Sequence, residues 1–198
     1  MRNYKITGLT GPSGSGKSVF TEELKPYGYA VVCTDKLAHK VLNQNEFCKK
    51  NLADVFGYDI INEYDEIDRK KLASRAFHDT SSASLLNAIT HPYILTLTLQ
   101  SIQEYISEGY QKIILDAPLL FESNAHFLCD TTAAVISSLE IRKLRLITRD
   151  GLSEEQVFQR IKNQQPDDYY IKRSDIVIYN NESFNEFKSA IQEIIKIL

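Results

Sequence analysis

Short apolar runs alternate along the chain with stretches in which apolar residues recur every three or four positions. Five runs have the length and density of buried strands: Tyr4–Leu9, Tyr29–Cys33, Lys112–Asp116, Thr132–Ile136 and Asp175–Tyr179. Helical patterns separate these runs. Strands that alternate with helices in this way predict an α/β fold with a doubly wound, parallel, five-stranded sheet.

The stretch 44–109 interrupts this alternation, because it holds no strand-like run. Its apolar residues recur at helical spacing: Leu52, Val55, Phe56, Leu72, Ala76, Phe77, Leu85, Leu86, Ile89, Ile94, Leu97, Leu99, Ile102 and Ile106. We interpret His91-Pro92 as the start of a helix, and His91 by itself as a helix cap or a core histidine. The pattern predicts a helical insertion subdomain within a single domain that spans 1–198.

Two capping boxes, Ser153–Gln156 and Ser183–Glu186, predict the starts of two helices near the end of the chain. A basic helix from Leu139 to Arg149 precedes the first of them. The last helix is predicted to bury one face, formed by Phe184, Phe187, Ile191, Ile194 and Leu198.

Composition limits the classes of protein to which the chain can belong. A net charge of −3 argues against general affinity for nucleic acid or membranes. The three cysteines, Cys33, Cys48 and Cys129, lack metal-ligand spacing and indicate reduced thiols in a cytosolic protein. The polar start of the chain predicts neither a signal peptide nor a membrane span.

The residues Gly11-Pro12-Ser13-Gly14-Ser15-Gly16-Lys17-Ser18 match the phosphate-binding pattern G-x-x-x-x-G-K-[ST]. A predicted strand leads into this loop and a predicted helix leaves it, so the positive end of the helix dipole faces the phosphates. Backbone N–H groups cradle phosphate oxygens, Lys17 adds positive charge, and Ser18 offers its hydroxyl to Mg²⁺. The predicted nucleotide-binding residues are Gly14, Ser15, Gly16, Lys17, Ser18 and Val19.

Two carboxylates stand at the ends of predicted strands. Asp35 is placed to accept or orient the proton of a phosphoryl acceptor hydroxyl. A cap on the following helix, or a place over the metal ion, is the alternative for Asp35, and capping does not exclude catalysis. Asp116 is expected to hold the Mg²⁺ shell, with a strand-end cap as its alternative.

Basic residues crowd the predicted helix pair 139–165. Arg145 and Arg149 lie four positions apart on one helix face and are predicted to stabilise the charge of the transferring phosphoryl group. We interpret Arg142, Lys143 and Lys162 as parts of a solvated face.

Together these motifs resemble the dephospho-CoA kinase family over nearly the whole chain. The Leu86–Ile94 stretch around His91-Pro92 and the run Pro118–Glu122 are the most family-specific elements. The other matching residues are Gly8–Gly11, Gly14–Ser18, Thr34, Asp35, Leu37, Ala38, Asp68, Arg69, Leu72, Phe77, Asp116, Ala117, Arg145, Arg149, Asp150, Arg160, Ile161, Gln164, Ser174–Ile178, Asn180 and Asn181.

The resemblance implies a P-loop NTPase-type fold and ATP-dependent, Mg²⁺-assisted phosphorylation of the ribose 3′-hydroxyl of dephospho-CoA, the last step of CoA synthesis. It implies Asp35 as the catalytic base, 44–109 as the CoA-binding subdomain and 139–165 as a lid over ATP. Asn180-Asn181 is expected near the nucleotide base, with Asn181 as the nucleotide-binding residue. The implied substrate residues are His39, His91, Pro92 and Leu119. The expected partners are ATP and dephospho-CoA, without nucleic acid or membrane, in a cytoplasmic monomer or weak homo-oligomer.

Several positions depart from the family pattern. Pro12-Ser13 stand where the family usually has Gly-Ile, and Pro12 has no N–H to donate. Cys33 replaces an acid, which leaves Asp35 as the one carboxylate at that strand end. His39 stands where arginine is common, so a substrate contact there would depend on pH. Glu182 replaces a glycine.

Two other functions stay open from the sequence. One is a kinase of the same architecture that acts on a nucleoside or nucleotide. The other is a nucleotide-sensing switch without turnover. A GTPase is disfavoured because the chain has no Asn-Lys-x-Asp motif, and Asn163-Gln164-Gln165-Pro166 is not one.

Overall fold

The protein contains a parallel β-sheet. In the computed structural model, which describes residues 2–197, its strands are β1 (Lys5–Thr10), β2 (Tyr29–Cys33), β3 (Lys112–Asp116), β4 (Thr131–Ile136) and β5 (Ile176–Tyr179). Their order across the sheet is β2-β3-β1-β4-β5, and the strands run parallel. Each predicted strand is present to within one residue at either end. The predicted fold class is confirmed.

Nine α-helices lie within residues 2–197: α1 (Lys17–Leu24), α2 (Thr34–Gln44), α3 (Glu46–Phe56), α4 (Arg69–Ala76), α5 (Thr80–Ser107), α6 (Leu139–Asp150), α7 (Glu154–Lys162), α8 (Asp167–Ile171) and α9 (Phe184–Ile195). Both predicted capping boxes are present, at Ser153 and at Ser183. In this described part of the chain, no helix is both long and apolar enough to cross a membrane.

Helices cover both faces of the sheet. On one face, α1 and α9 contribute to a core that includes Ala133 and Val135 of β4. On the other face, Tyr170 of α8 packs against Ala134 and Ile136. Successive residues of a strand point to opposite faces, so the two clusters use alternate residues of β4. Burial on both sides explains why the strands are nearly continuous apolar runs.

The chain divides into two compact units. The first contains the residues up to Val32 and those from Glu104 onward, and the second is Cys33–Gln103. The second unit has its own core of buried residues: Val41, Cys48, Leu52, Phe56, Ile60, Ile67, Leu72 and Ala76. Part of the predicted apolar pattern in this unit is instead exposed: Val55, Phe77, Leu85 and Leu99.

Pro92 lies inside a helix and not at its start. α5 runs from Thr80 to Ser107, so the prediction that a helix begins at His91-Pro92 is wrong. A proline in a helix interior removes a hydrogen bond and costs about 3 kcal/mol or more. Apolar residues on both sides of Pro92 pack against the core of the second unit, and this burial offsets the cost: Leu86, Ile89, Tyr93, Ile94 and Leu97.

α9 buries a narrower face than predicted. Phe187 and Ile191 are buried, and Ile194 packs against the same core. Phe184 is instead 58% exposed, and the ammonium of Lys188 lies 5.1 Å from the centroid of its ring. Leu198, which was also predicted for this face, lies outside the described residues.

Candidate active site

The phosphate loop leaves β1 and enters α1, as the sequence predicts. Gly11 and Gly16 have φ angles of 135° and 108°, which residues with a β-carbon rarely adopt. A β-carbon at Gly11 would collide with the carbonyl oxygen of Val135 in β4. One at Gly16 would collide with the side-chain amide of Asn180. Both glycines are therefore required by the close packing of the loop against the sheet.

The amino end of α1 faces the loop. Its N-cap residue is Gly16, which has no side chain to accept a hydrogen bond from the first turn. The N–H groups of Ser18 and Val19 at this helix start are therefore suited to an anion such as phosphate. The side chain of Val19 packs against the core, so its backbone is the part suited to phosphate.

Lys17 lies over the start of the loop. Its Nζ donates to the carbonyl oxygen of Gly11 at 2.6 Å and to that of Pro12 at 3.3 Å. Pro12 has no N–H, but its carbonyl oxygen contributes to this contact and also accepts from the N–H of Ser15 at 3.3 Å. These two carbonyl oxygens are neutral, so a phosphate oxygen with negative charge can replace them as acceptors for the ammonium group.

Asn180, expected with Asn181 near the nucleotide base, contacts the loop directly. Its Nδ2 donates to the backbone carbonyl oxygen of Ser15 at 2.7 Å, and the backbone carbonyl oxygen of Asn180 accepts from Ser137 Oγ at 2.7 Å. All three residues are buried. The predicted neighbour, Asn181, lies on the surface and accepts from the N–H of Ser138 at 2.8 Å. The sequence signal for Asn180 is a polar residue immediately after an apolar strand.

Arg145 lies against the outer side of the same loop. Its guanidinium donates to the carbonyl oxygens of Gly14 and Ser15 at 3.3 and 3.4 Å, and to Oδ1 of Asn180 at 3.1 Å. In a trans peptide the C=O and the following N–H point in opposite directions. Because Arg145 binds the carbonyl oxygens of Gly14 and Ser15, the N–H groups of Ser15 and Gly16 point away from its guanidinium. Burial lowers the pKa of Arg145, but arginine stays protonated in proteins.

Asp116 reaches the edge of the sheet from which the loop leaves. The register of β1 and β3 pairs it with Leu9, and the N–H of Ala117 donates to the carbonyl oxygen of Leu9 at 2.9 Å. Ser18, in the first turn of α1, offers a hydroxyl oxygen on an exposed residue. Carboxylate and hydroxyl oxygens are hard ligands, so this donor set fits Mg²⁺.

Arg149 is paired with its neighbour Asp150 at the end of α6. Its Nε and Nη2 donate to the two carboxylate oxygens at 2.6 and 3.0 Å. Arg160 of α7 donates to the same carboxylate at 3.4 Å. The hydrogen bonds from Arg149 lower the pKa of Asp150, and the same pairing raises the pKa of Arg149. Arg145 and Arg149, predicted on one face, thus contact different partners.

Arg142 is buried, so its interpretation as part of a solvated face is wrong. Its side chain is 6% exposed, and its Nη2 lies 3.1 Å from Oδ1 of Asp167 at the start of α8. Position 142 shares the buried side of α6 with Leu146, one turn later. Lys143 and Lys162 are exposed, as interpreted.

Asp35 is the second residue of α2, in the second unit. The helix begins directly after β2 with Cys33 as its N-cap residue, so Asp35 does not fill the cap position. A carboxylate in the first turn is favoured by the helix dipole. The residue is exposed, which leaves its carboxylate accessible to a ligand.

His39, one turn further along α2, contacts Arg69 within the second unit. Nη1 of Arg69 lies 2.8 Å from Nδ1 of His39, and Nη2 donates to Asn43 Oδ1 at 3.3 Å. A guanidinium has only donors, so Nδ1 of His39 is the acceptor and the proton of the neutral ring is on Nε2. The position where the family often has arginine thus holds a histidine paired with another arginine.

The remaining predicted substrate residues lie in both units. His91 and Pro92 are in the middle of α5, and burial lowers the pKa of His91. Leu119 follows β3 in the first unit and is 46% exposed. The structure therefore brings the loop, Asp116 and Arg145 together in the first unit, which also contains Leu119, Arg149 and Asn181. Four predicted residues belong to the second unit: Asp35, His39, His91 and Pro92.

Known proteins resemble this chain over nearly its full length. A family model described as dephospho-CoA kinase matches residues 5–186. A dephospho-CoA kinase of Corynebacterium glutamicum is 35% identical over 188 residues, which cover 95% of this chain and 96% of that protein. A solved dephospho-CoA kinase from Campylobacter jejuni aligns with a TM-score of 0.71 at 27% identity and covers 99% and 96% of the two chains. A solved protein from Thermus thermophilus aligns with a TM-score of 0.82 at 30% identity, over 100% and 99%.

Proposed function

The chain belongs to the dephospho-CoA kinase family, and we propose that it transfers the γ-phosphoryl group of ATP to the ribose 3′-hydroxyl of dephospho-CoA. The products are CoA and ADP, and the reaction is the last step of CoA synthesis. The observation that carries this proposal is a complete phosphate loop at residues 11–18, in a chain that matches the family model over residues 5–186.

The first unit supplies the nucleotide site in this proposal. The loop N–H groups from Gly14 to Val19 bind the β- and γ-phosphates, and Lys17 exchanges its contacts with loop carbonyls for phosphate oxygens. Arg145 orients the loop from its outer side. Arg149 leaves Asp150 to neutralise charge on the transferring group, and Asn181 lies near the base.

Asp35 acts as the base. It accepts or orients the proton of the 3′-hydroxyl while that oxygen attacks the γ-phosphorus and the bond to the ADP oxygen breaks. The exposure of Asp35 and its place outside the N-cap of α2 support this role. The acceptor is bound by the insertion 44–109, with His91 and Pro92, and by His39 and Leu119.

Ser18 and Asp116 would hold Mg²⁺, which neutralises phosphate charge in such reactions. In the part of the chain that the structure describes, no group of three or more His, Cys, Asp or Glu side chains could hold a metal ion. This suits Mg²⁺, because it usually takes one or two carboxylates and completes its shell with phosphate oxygens and water.

We further propose that the enzyme works in the cytoplasm as a monomer or weak homo-oligomer, with 139–165 as a lid within a single domain spanning 1–198. Its partners are ATP and dephospho-CoA, not nucleic acid or membranes. The free thiols of Cys48 and Cys129 support a reducing compartment. The net charge of −3 supports the lack of nucleic-acid affinity.

Release of ADP from MgATP tests the function. Dephospho-CoA is compared with CoA, which differs from it only in that the 3′-hydroxyl is already phosphorylated. We expect ADP release and a product heavier by one phosphoryl group with dephospho-CoA, and only the acceptor-free rate with CoA. Equal rates with both compounds and without acceptor would contradict the proposal.

A further inference from the structure

The tip of the phosphate loop is joined to the segment after α7 by Gln164. The N–H of Ser13 donates to Oε1 of Gln164 at 3.1 Å, and Nε2 of Gln164 donates to Oγ of Ser13 at 2.6 Å. A backbone N–H can only donate, so Oε1 must face it, and this fixes the orientation of the whole amide group. One side chain thus contacts both the backbone and the hydroxyl of a single loop residue.

Arg160 makes a second contact to the same hydroxyl. Its Nε donates to Oγ of Ser13 at 3.2 Å, and its Nη1 donates to Asp150 at 3.4 Å, the carboxylate that also binds Arg149. With two donors directed at it, the hydroxyl oxygen uses both of its lone pairs. A continuous set of polar contacts therefore runs from the phosphate loop to α7 and on to the end of α6.

These contacts are not needed for the phosphate-binding pattern or for the core. Position 13 is one of the four variable positions in G-x-x-x-x-G-K-[ST]. The side chain of Arg160 is 46% exposed, and Gln164 is only partly buried. Their effect is to fix the place of α6 and α7 relative to the loop.

We propose that Ser13, Gln164 and Arg160 form a latch that positions the α6–α7 pair beside the phosphate loop before ATP binds. Ser13 and Gln164 are then positioning residues. The latch keeps Arg149 and Arg160 near the loop, so less conformational freedom is lost when ATP binds. The expected effect on ATP binding rests on the proposed function, whereas the contacts among Ser13, Gln164 and Arg160 do not depend on it.

Amide hydrogen exchange of α7 in the nucleotide-free full chain tests the latch. Gln164→Ala is compared with Gln165→Ala, which removes the same side chain from the next, exposed position. We expect α7 amides to exchange about 3–10 times faster in Gln164→Ala and in Ser13→Ala, which corresponds to the loss of one or two hydrogen bonds. Ser13→Thr keeps the hydroxyl and should exchange like the wild type. Unchanged exchange in both alanine variants would overturn the latch.

Kinetics with ATP provide the second readout. The two alanine variants should raise KM for ATP about 3–10-fold and leave KM for dephospho-CoA within about twofold. A lower melting temperature with no change in KM for ATP means that the contacts only stabilise the fold, and rejects the latch. If the wild type does not phosphorylate dephospho-CoA, the proposed function fails, and the exchange experiment still decides on the latch.

Discussion

The side-chain amide of Asn180 donates a 2.7 Å hydrogen bond to the carbonyl oxygen of Ser15, and both residues are buried. Asn180 directly follows β5, an edge strand, so this bond joins the end of the sheet to the middle of the phosphate loop. Arg145 donates to Oδ1 of the same amide at 3.1 Å, which directs its Nδ2 toward Ser15. The shape of the loop therefore depends on residues outside its own motif.

Asn180→Ala should lower the free energy of unfolding by about 1–3 kcal/mol, because it leaves the buried carbonyl of Ser15 and the guanidinium of Arg145 short of a partner. It should also weaken ATP binding. Denaturant unfolding and ATP titration measure the two effects. Asn181→Ala is the control for the unfolding measurement, since Asn181 is exposed and its replacement should cost no more than about 1 kcal/mol. Equal losses of unfolding free energy in the two variants would count against a special structural role for Asn180.

Gly16→Ala should damage the loop more than Gly28→Ala damages its turn. Both glycines have positive φ angles, 108° and 79°, so both substitutions carry a strain of about 1–2 kcal/mol. A β-carbon at Gly28 meets no atom within 4 Å, whereas one at Gly16 collides with Asn180. We expect an additional stability loss and a loss of ATP binding only at position 16. If the Gly16→Ala variant still binds ATP, the amide of Asn180 moves aside and the collision does not exclude a β-carbon at this position.

The buried pair of Arg142 and Asp167 predicts an asymmetry between two variants. Asp167→Asn leaves a guanidinium that is only 6% exposed without its counter-charge, and Arg142→Met leaves a carboxylate that is 34% exposed and can be hydrated. Asp167→Asn should therefore destabilise the protein more, by about 1–3 kcal/mol. Unfolding curves of both variants and of the double variant check the order, and the reverse order would contradict the assignment of Arg142 as the buried partner.

The contrast between Gly11 and Asn180 shows what could be predicted from the sequence. The phosphate loop and the strands are local patterns, and the structure has them where the sequence predicts them. The contacts of Asn180 and Ser137 and the burial of Arg142 depend on partners that are distant in the sequence. A local pattern of apolar and polar residues therefore does not predict them. The single helix through Pro92 likewise depends on apolar contacts that outweigh a local preference.

The burial of His91 is expected to lower the free energy of unfolding in acid. Burial lowers its pKa below the ordinary value of 6.5, because burial disfavours the charged ring. Between the two pKa values, the unfolded chain binds a proton that the folded chain does not, and this lowers the free energy of unfolding. The stability is therefore complete above the pKa of His91 in the unfolded chain, and part of it is lost as the pH falls toward the pKa in the folded chain. Unfolding free energies from about pH 8 to about pH 5 should fall less steeply in His91→Asn than in the wild type.

A control for this pH dependence is His78→Asn. The side chain of His78 is 81% exposed, so its replacement removes a histidine without removing a buried one. The difference in slope between the two variants isolates the part that comes from the burial of His91. A slope that flattens equally in both variants would show that burial of His91 is not the cause.

Asp35→Asn separates a catalytic from a positioning role. The side chain is exposed and does not fill the N-cap of α2, so the variant should unfold at nearly the wild-type temperature. An amide cannot take the proton of the acceptor hydroxyl, so kcat should fall by ~10²–10⁴ while KM for ATP stays near the wild-type value. A near-wild-type rate would contradict the role of Asp35 as a base and leave it only the role of orienting the acceptor.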